Sequence, residues 1–143
     1  ETSCPTVIDA DGINIISANI NMLETVRGRA IITPHPGEMA RLCKTSIDEI
    51  QASREEITMN FARENNCILV LKGKNTVVAD PNGDVFINQS GSSALAKGGS
   101  GDVLAGVIAS LLAQGYCGID AAKQPTIITA VMITPFLERS LKE

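Results

Sequence analysis

Cys67-Ile68-Leu69-Val70-Leu71-Lys72-Gly73 is an unbroken apolar run closed by a lysine and a glycine. A strand with one wet face alternates apolar and polar residues. A continuous run is the mark of a strand covered on both faces, as in sheets sandwiched between helices. Reading outward from it, Thr6-Val7-Ile8 and Ala30-Ile31-Ile32-Thr33 are further short β-branched runs. Thr76 to Ala79, the turn Asp80-Pro81-Asn82-Gly83-Asp84 and Val85 to Asn88 predict a β-hairpin.

Helical stretches separate these strands. Ile13 to Arg27 predicts a helix or helical turns ending at Gly28, and a short helix starts at Gly37. Ser46 with Glu49 has capping-box spacing and opens a longer helix, with Ile50, Ile57 and Phe61 on one face. Val103 to Gln114 predicts an apolar helix closed by Gly115, and a last helix is expected to start near Pro125 and to kink or end at Pro135. Alternating strands and helices predict an α/β layered fold with a largely parallel sheet, and residues 1–143 read as one unit without linker or repeat. Glu1 leads almost at once into a buried-looking strand, so the chain is expected to be the C-terminal part of a larger α/β fold.

Composition narrows the function. The 143 residues are 44% apolar and 20% charged, with a net charge of −4, which is globular and mildly acidic. Three Phe, one Tyr, no Trp and no dense basic run argue against a nucleic-acid partner. No apolar run approaches a membrane span and no secretory segment opens the chain, so a cytoplasmic location without membrane attachment is expected. Cys4, Cys43, Cys67 and Cys117 are widely spaced and only one histidine is present, which disfavours a zinc site. No metal-ligating residues are assigned from the pattern.

Gly98-Gly99-Ser100-Gly101-Asp102 carries the strongest chemical signal. A glycine-rich turn entering a helix aims backbone N–H groups and the positive helix end at one point, a site suited to phosphate. The pattern is neither a Walker A loop nor a G-x-G-x-x-G fingerprint. A carboxylate here would repel such a ligand. Asp102 therefore reads either as a base that takes a proton from a substrate hydroxyl, or as a residue stabilising the first helical turn. Lys72 to Thr76 follows a strand at its carboxyl end, where α/β sheets bind ligands; Lys72 neutralises phosphate or is simply solvated. Asp9 and Asp11 either organise Mg²⁺ through water or satisfy turn N–H groups, the second being favoured. His35, held between Pro34 and Pro36, is a rigidly presented ligand contact or an incidental imidazole, and Glu38 caps the following helix.

Four segments in order resemble the ADP/ATP-dependent NAD(P)H-hydrate dehydratases of the ribokinase-like superfamily. They are Val7-Ile8-Asp9-Ala10-Asp11-Gly12-Ile13-Asn14, Thr33-Pro34-His35-Pro36-Gly37-Glu38-Met39-Ala40-Arg41-Leu42, Val70-Leu71-Lys72-Gly73 with Thr76-Val77-Val78-Ala79, and Ser93 through Gly106. The resemblance implies a three-layer α/β/α domain with a mostly parallel sheet, lacking its N-terminal part. It implies a hydro-lyase that returns hydrated NAD(P)H to NAD(P)H at the expense of ADP or ATP with Mg²⁺. His35 and Asp102 would contact the hydrated nucleotide, with Asp102 as base. Lys72, Gly73, Lys74, Asn75, Thr76 and Gly101 would contact the adenine nucleotide, and Gly99, Ser100 and Gly101 would form an anion hole.

Small-molecule nucleotides are the implied partners, with room for a homo-oligomer and for an NAD(P)H-hydrate epimerase, fused or separate. Three departures stand out: Gly91-Ser92 replaces the usual Gly-Asn, the tail from Thr126 to Lys142 lacks the family's pattern, and the family's N-terminal half is absent, which leaves an isolated chain without activity as one expectation. The competing readings are a vitamin-precursor or sugar kinase on the same scaffold, and a non-catalytic nucleotide-binding fragment.

Overall fold

A computed structural model describes residues 4–89 and 99–126. Gly98, the Gly91-Ser92 departure, residues 93–97 and the tail containing Pro135 lie outside the described residues. Among the described residues five strands, β1 (Thr6–Ile8), β2 (Ala30–Ile32), β3 (Ile68–Leu71), β4 (Thr76–Ala79) and β5 (Val85–Asn88), form one sheet in sequential order. β1, β2 and β3 run parallel, and β4 and β5 are antiparallel to their neighbours, so the expected parallel sheet carries the expected hairpin on one side. Asp80 fixes that hairpin: its Oδ1 accepts from the backbone N–H groups of Asn82 and Asp84 at 2.9 and 3.0 Å.

The side-chain period of two divides the sheet into two cores. Leu69, Leu71, Ile32, Val77 and Ala79 pack on one face with Ile13, Met39, Ile50 and Phe61 from the helices α1 (Asp11–Ala18), α2 (Pro36–Cys43), α3 (Ile47–Ala52) and α4 (Arg54–Asn65). Ile31, Val70 and Val78 face the opposite way, onto Leu104 and Ile108 of α5 (Ser100–Ala113) and Ala122 of α6 (residues 118–126). β3 is thus covered on both sides, as its unbroken apolar run requires.

Several boundaries differ from expectation. The stretch after α1 is a 3-10 segment, Ile20–Val26, which takes the helical-turn form of the expectation and not a continued α-helix. The single helix expected after Ser46 is two. Ser46 and Glu49 do make a reciprocal capping box, but at Ser53 the backbone leaves helical geometry (φ −134°, ψ 44°) before α4 begins. The last helix among the described residues starts at 118, not near Pro125. Pro125 lies well inside it and is buried, at a point where it cannot donate to the Ala121 carbonyl. At the end of α5, Gly115 adopts φ +89°, and the N–H groups of Gly115 and Tyr116 return to the carbonyls of Leu112 and Leu111. That double bond is the glycine-terminated closure expected there.

Candidate active site at the carboxyl ends of the parallel strands

The loops after β1, β2 and β3 meet at one edge of the sheet. The Thr33 N–H donates to the Ile8 carbonyl at 3.1 Å, and the Lys72 N–H donates to the Pro34 carbonyl at 2.8 Å. These bonds fix the starting points from which Asp9, His35 and Lys72 project.

Lys72 is the hub. Its Nζ lies 2.7 Å from Asp9 Oδ1 and 3.9 Å from Glu38 Oε2, with the Lys72 and Asp9 side chains only 20% and 14% exposed. An ammonium this poorly solvated needs its carboxylates close by, so Lys72 is not the freely solvated lysine of the alternative reading. Asp9 and Asp11 do not share a face. Ala10 has φ +47°, α1 begins at Asp11, and the two carboxylates part: Asp9 goes to Lys72, whereas Asp11 is exposed and lies 3.5 Å from the Asn14 amide. The turn role favoured for Asp9 is therefore replaced by an ion pair. No local signal could have revealed it, because its partner comes from a different strand.

His35 has a structural role as well as a position in the site. Its Nδ1 accepts from the backbone N–H groups of Gly37 (3.0 Å) and Glu38 (3.3 Å) at the start of α2, while the His35 N–H donates to Glu38 Oε2 at 2.8 Å. This is a capping box with histidine in the place usually held by Ser, Thr or Asp. With the Nδ1 lone pair so engaged, a neutral imidazole carries its proton on Nε2. That nitrogen lies 3.4 Å from Glu38 Oε1, on a side chain that is 52% exposed. Glu38 itself is buried, so one carboxylate caps the helix, faces the imidazole and approaches Lys72.

α5 brings the glycine-rich segment to the same place. Gly99 is its N-cap with φ +91°, a left-handed conformation that disfavours any side chain although none of the described residues lies near enough to clash. Gly101 is different. A Cβ there would sit 3.4 Å from Lys72 Nζ and 3.8 Å from Asp9 Oδ2, so the helix start rests directly over the ion pair. The first-turn N–H groups of Gly101 and Asp102 have no intrahelical acceptor, and with the helix dipole and the Lys72 ammonium they make one electropositive corner. Asp102 is exposed in that first turn, a position compatible with both of its sequence readings.

Lys74 and Asn75 are exposed, with Asn75 at φ +56°, and the Thr76 hydroxyl donates to the Gly73 carbonyl at 3.0 Å. Residues 73–76 thus form a tight projecting turn beside Lys72. Arg54 braces its base from below, through Nη2 bonds to the Leu71 and Lys72 carbonyls at 3.0 and 3.2 Å. The sequence reading missed Arg54 altogether.

A sequence model of the NAD(P)H-hydrate dehydratase family matches residues 1–136. The chain is 43% identical over 123 residues to the ADP-dependent (S)-NAD(P)H-hydrate dehydratase of Neisseria meningitidis, covering 85% of this chain and 42% of that protein. It is 48% identical over 111 residues to the bifunctional NAD(P)H-hydrate repair enzyme Nnr of Moorella thermoacetica, covering 78% of this chain and 21% of that protein. The chain therefore spans between about a fifth and two fifths of these relatives' length. Among solved structures, the Bacillus subtilis ADP/ATP-dependent NAD(P)H-hydrate dehydratase co-crystallised with ATP/Mg²⁺ superposes with a TM-score of 0.77 at 31% identity, over 91% of this chain and 45% of that one. A ribokinase-like superfamily protein from Enterococcus faecalis gives 0.74 at 27% identity, over 92% and 45%.

Proposed function

The chain belongs to the NAD(P)H-hydrate dehydratase family, and from that premise we propose that it carries the nucleotide-binding and catalytic part of an enzyme that dehydrates hydrated NAD(P)H with ADP or ATP as co-substrate. One observation supports this reading above the others. The start of α5 at Gly101 lies directly over the Lys72 ammonium, so unpaired backbone donors and a fixed positive charge converge where a phosphate can sit.

The steps follow from those groups. The adenine nucleotide lies along the turn Lys72 to Thr76, and its terminal phosphate sits in the anion hole formed by Gly99, Ser100 and Gly101. His35 presents the Nε2–H to an acceptor on the hydrated nicotinamide nucleotide, which holds the ring with its hydroxyl toward Asp102. Asp102 removes the hydroxyl proton as that oxygen attacks the phosphorus, and the shortened nucleotide departs. The ring nitrogen then expels phosphate to leave an iminium ion, and loss of a proton from the adjacent ring carbon to solvent re-forms the C=C bond of the reduced nicotinamide. Hydroxide leaves poorly and phosphate well, which accounts for phosphoryl-transfer machinery in a dehydratase.

Mg²⁺ suits the same corner. Asp9 and Glu38 are hard oxygen donors beside the phosphate position, the ligand class Mg²⁺ prefers when it also binds substrate phosphates. It would neutralise phosphate charge there. A cytoplasmic location and an epimerase partner, fused or separate, belong to the same reading. No helix among the described residues is long and apolar enough to cross a membrane.

The test is incubation of the chain with hydrated NADH and ADP or ATP, followed at the absorbance of reduced nicotinamide. Recovery of NADH is the expected outcome, and Asp102→Asn should cut turnover by about 10²–10⁴-fold without weakening ADP binding. A stable phosphorylated alcohol would instead establish a small-molecule kinase. Nucleotide binding without turnover would establish a binding module.

A further inference from the structure

Arg54 is the first residue of α4, where a positive charge meets the positive end of the helix dipole. It is also half-buried, which lowers its pKa by desolvation, and its Nε is buried without a hydrogen-bond partner. On local grounds this is a poor place for an arginine. Residues that break a local rule are expected where something else is gained.

What is gained lies in the other two nitrogens. Nη2 donates to two successive carbonyls, Leu71 and Lys72, at the point where β3 ends, and Nη1 donates to Gln51 Oε1 at 3.1 Å. Gly73 lies against the guanidinium plane, where a Cβ would come within 3.4 Å of both Nη atoms. Its φ of +131° turns the chain into residues 74–76. Nη2 therefore fixes two consecutive peptide carbonyls, and the planar guanidinium backs the glycine after them with a flat surface that an ammonium lacks. Those peptides set both the direction of the Lys72 side chain toward Asp9 and the path of the turn that follows.

We propose that Arg54 is a positioning residue for the adenine nucleotide: it holds the backbone of Leu71, Lys72 and Gly73 in the one arrangement that presents Lys72 and the turn 73–76 to the ligand. The inference rests on the nucleotide-binding reading above. It assigns no contact between Arg54 and the nucleotide.

Calorimetric titration of ADP into the full chain tests it, using wild type, Arg54→Gln, Arg54→Lys and Lys72→Ala, each with its ligand-free unfolding temperature. Arg54→Gln should weaken ADP binding by about tenfold or more, and Arg54→Lys should recover part of that loss, because it keeps the charge but not the planar surface against Gly73. In turnover assays the KM for ADP should rise while the KM for the hydrated nicotinamide nucleotide stays within about twofold. A purely structural role would lower the unfolding temperature and spare the ADP affinity of folded protein. If Arg54→Gln does not fold, Arg54→Lys carries the comparison. ADP affinity within about twofold of wild type in the folded Arg54 variants, with Lys72→Ala weakened, overturns the inference and leaves the functional reading intact. A wild-type chain that does not bind ADP overturns both.

Discussion

Lys72 Nζ and Asp9 Oδ1 lie 2.7 Å apart across 63 residues of sequence, tying the end of β3 to the end of β1 beneath the start of α5. Removing one charge from such a pair leaves the other poorly solvated. Because both side chains keep some exposure, Asp9→Asn should cost about 1–3 kcal/mol rather than the larger penalty of a fully buried pair. Adding Lys72→Met removes the uncompensated ammonium but leaves the buried Glu38 carboxylate without its nearby cation, so it should recover only part of that loss. Urea unfolding of the two variants measures both effects; an unshifted midpoint in Asp9→Asn would show that the pair contributes nothing to stability.

His35 caps α2, and substitutions can separate that role from its proposed contact with the substrate. Its Nδ1 caps α2, so His35→Ala should destabilise the chain by about 0.5–2 kcal/mol. Asparagine is a strong capping residue and should restore most of that stability, yet it cannot place a donor where the imidazole Nε2 lies. The expected pattern for His35→Asn is near-native unfolding with weakened affinity for the hydrated nucleotide. Full affinity in His35→Asn would remove His35 from the substrate site.

Alkaline pH should unmask Cys67. Burial pushes its thiol up to about 12 from an ordinary value of 9.0. The folded state therefore retains a proton that the unfolded state releases. Its contribution to stability is complete below pH 9 and declines as pH rises from there toward 12. The slope should reach at most about 1.4 kcal/mol per pH unit. Cys67→Ala should unfold with a shallower dependence over that window, which denaturant titrations at successive pH values would detect.

The three-layer arrangement was legible because it follows from short-range rules. The Cys67 to Leu71 run could satisfy its side chains only between two apolar layers, and the Asp80 to Asp84 turn could close only a hairpin. Helix punctuation was partly legible. The Ser46–Glu49 box and the Gly115 closure stand as read, whereas Ser53 splits a helix that hydrophobic spacing made continuous. Pro125 misled because a proline suits a helix start far better than an interior. The candidate site was legible as motifs and not as geometry. Gly101 and Lys72 are adjacent because β3 and α5 pack on one face, and neither segment contains the other's position. Asp9 and Arg54 act through residues distant in sequence, so single-chain reading offered nothing to distinguish Asp9 from Asp11 or Arg54 from the charged residues around it.

Gly101→Ala tests the phosphate corner most directly, because its two effects carry opposite signs. Gly101 is helical and, among the described residues, nothing crowds the position more closely than Lys72 Nζ at 3.4 Å, so alanine should fold and gain roughly 0.5–1 kcal/mol of stability from its better helix propensity. The same methyl group would stand where the phosphate must approach the Gly101 N–H and the Lys72 ammonium. Calorimetry with ADP should show at least about tenfold weaker binding in a variant that unfolds no earlier than wild type. Undiminished ADP affinity in that equally stable variant would contradict the account.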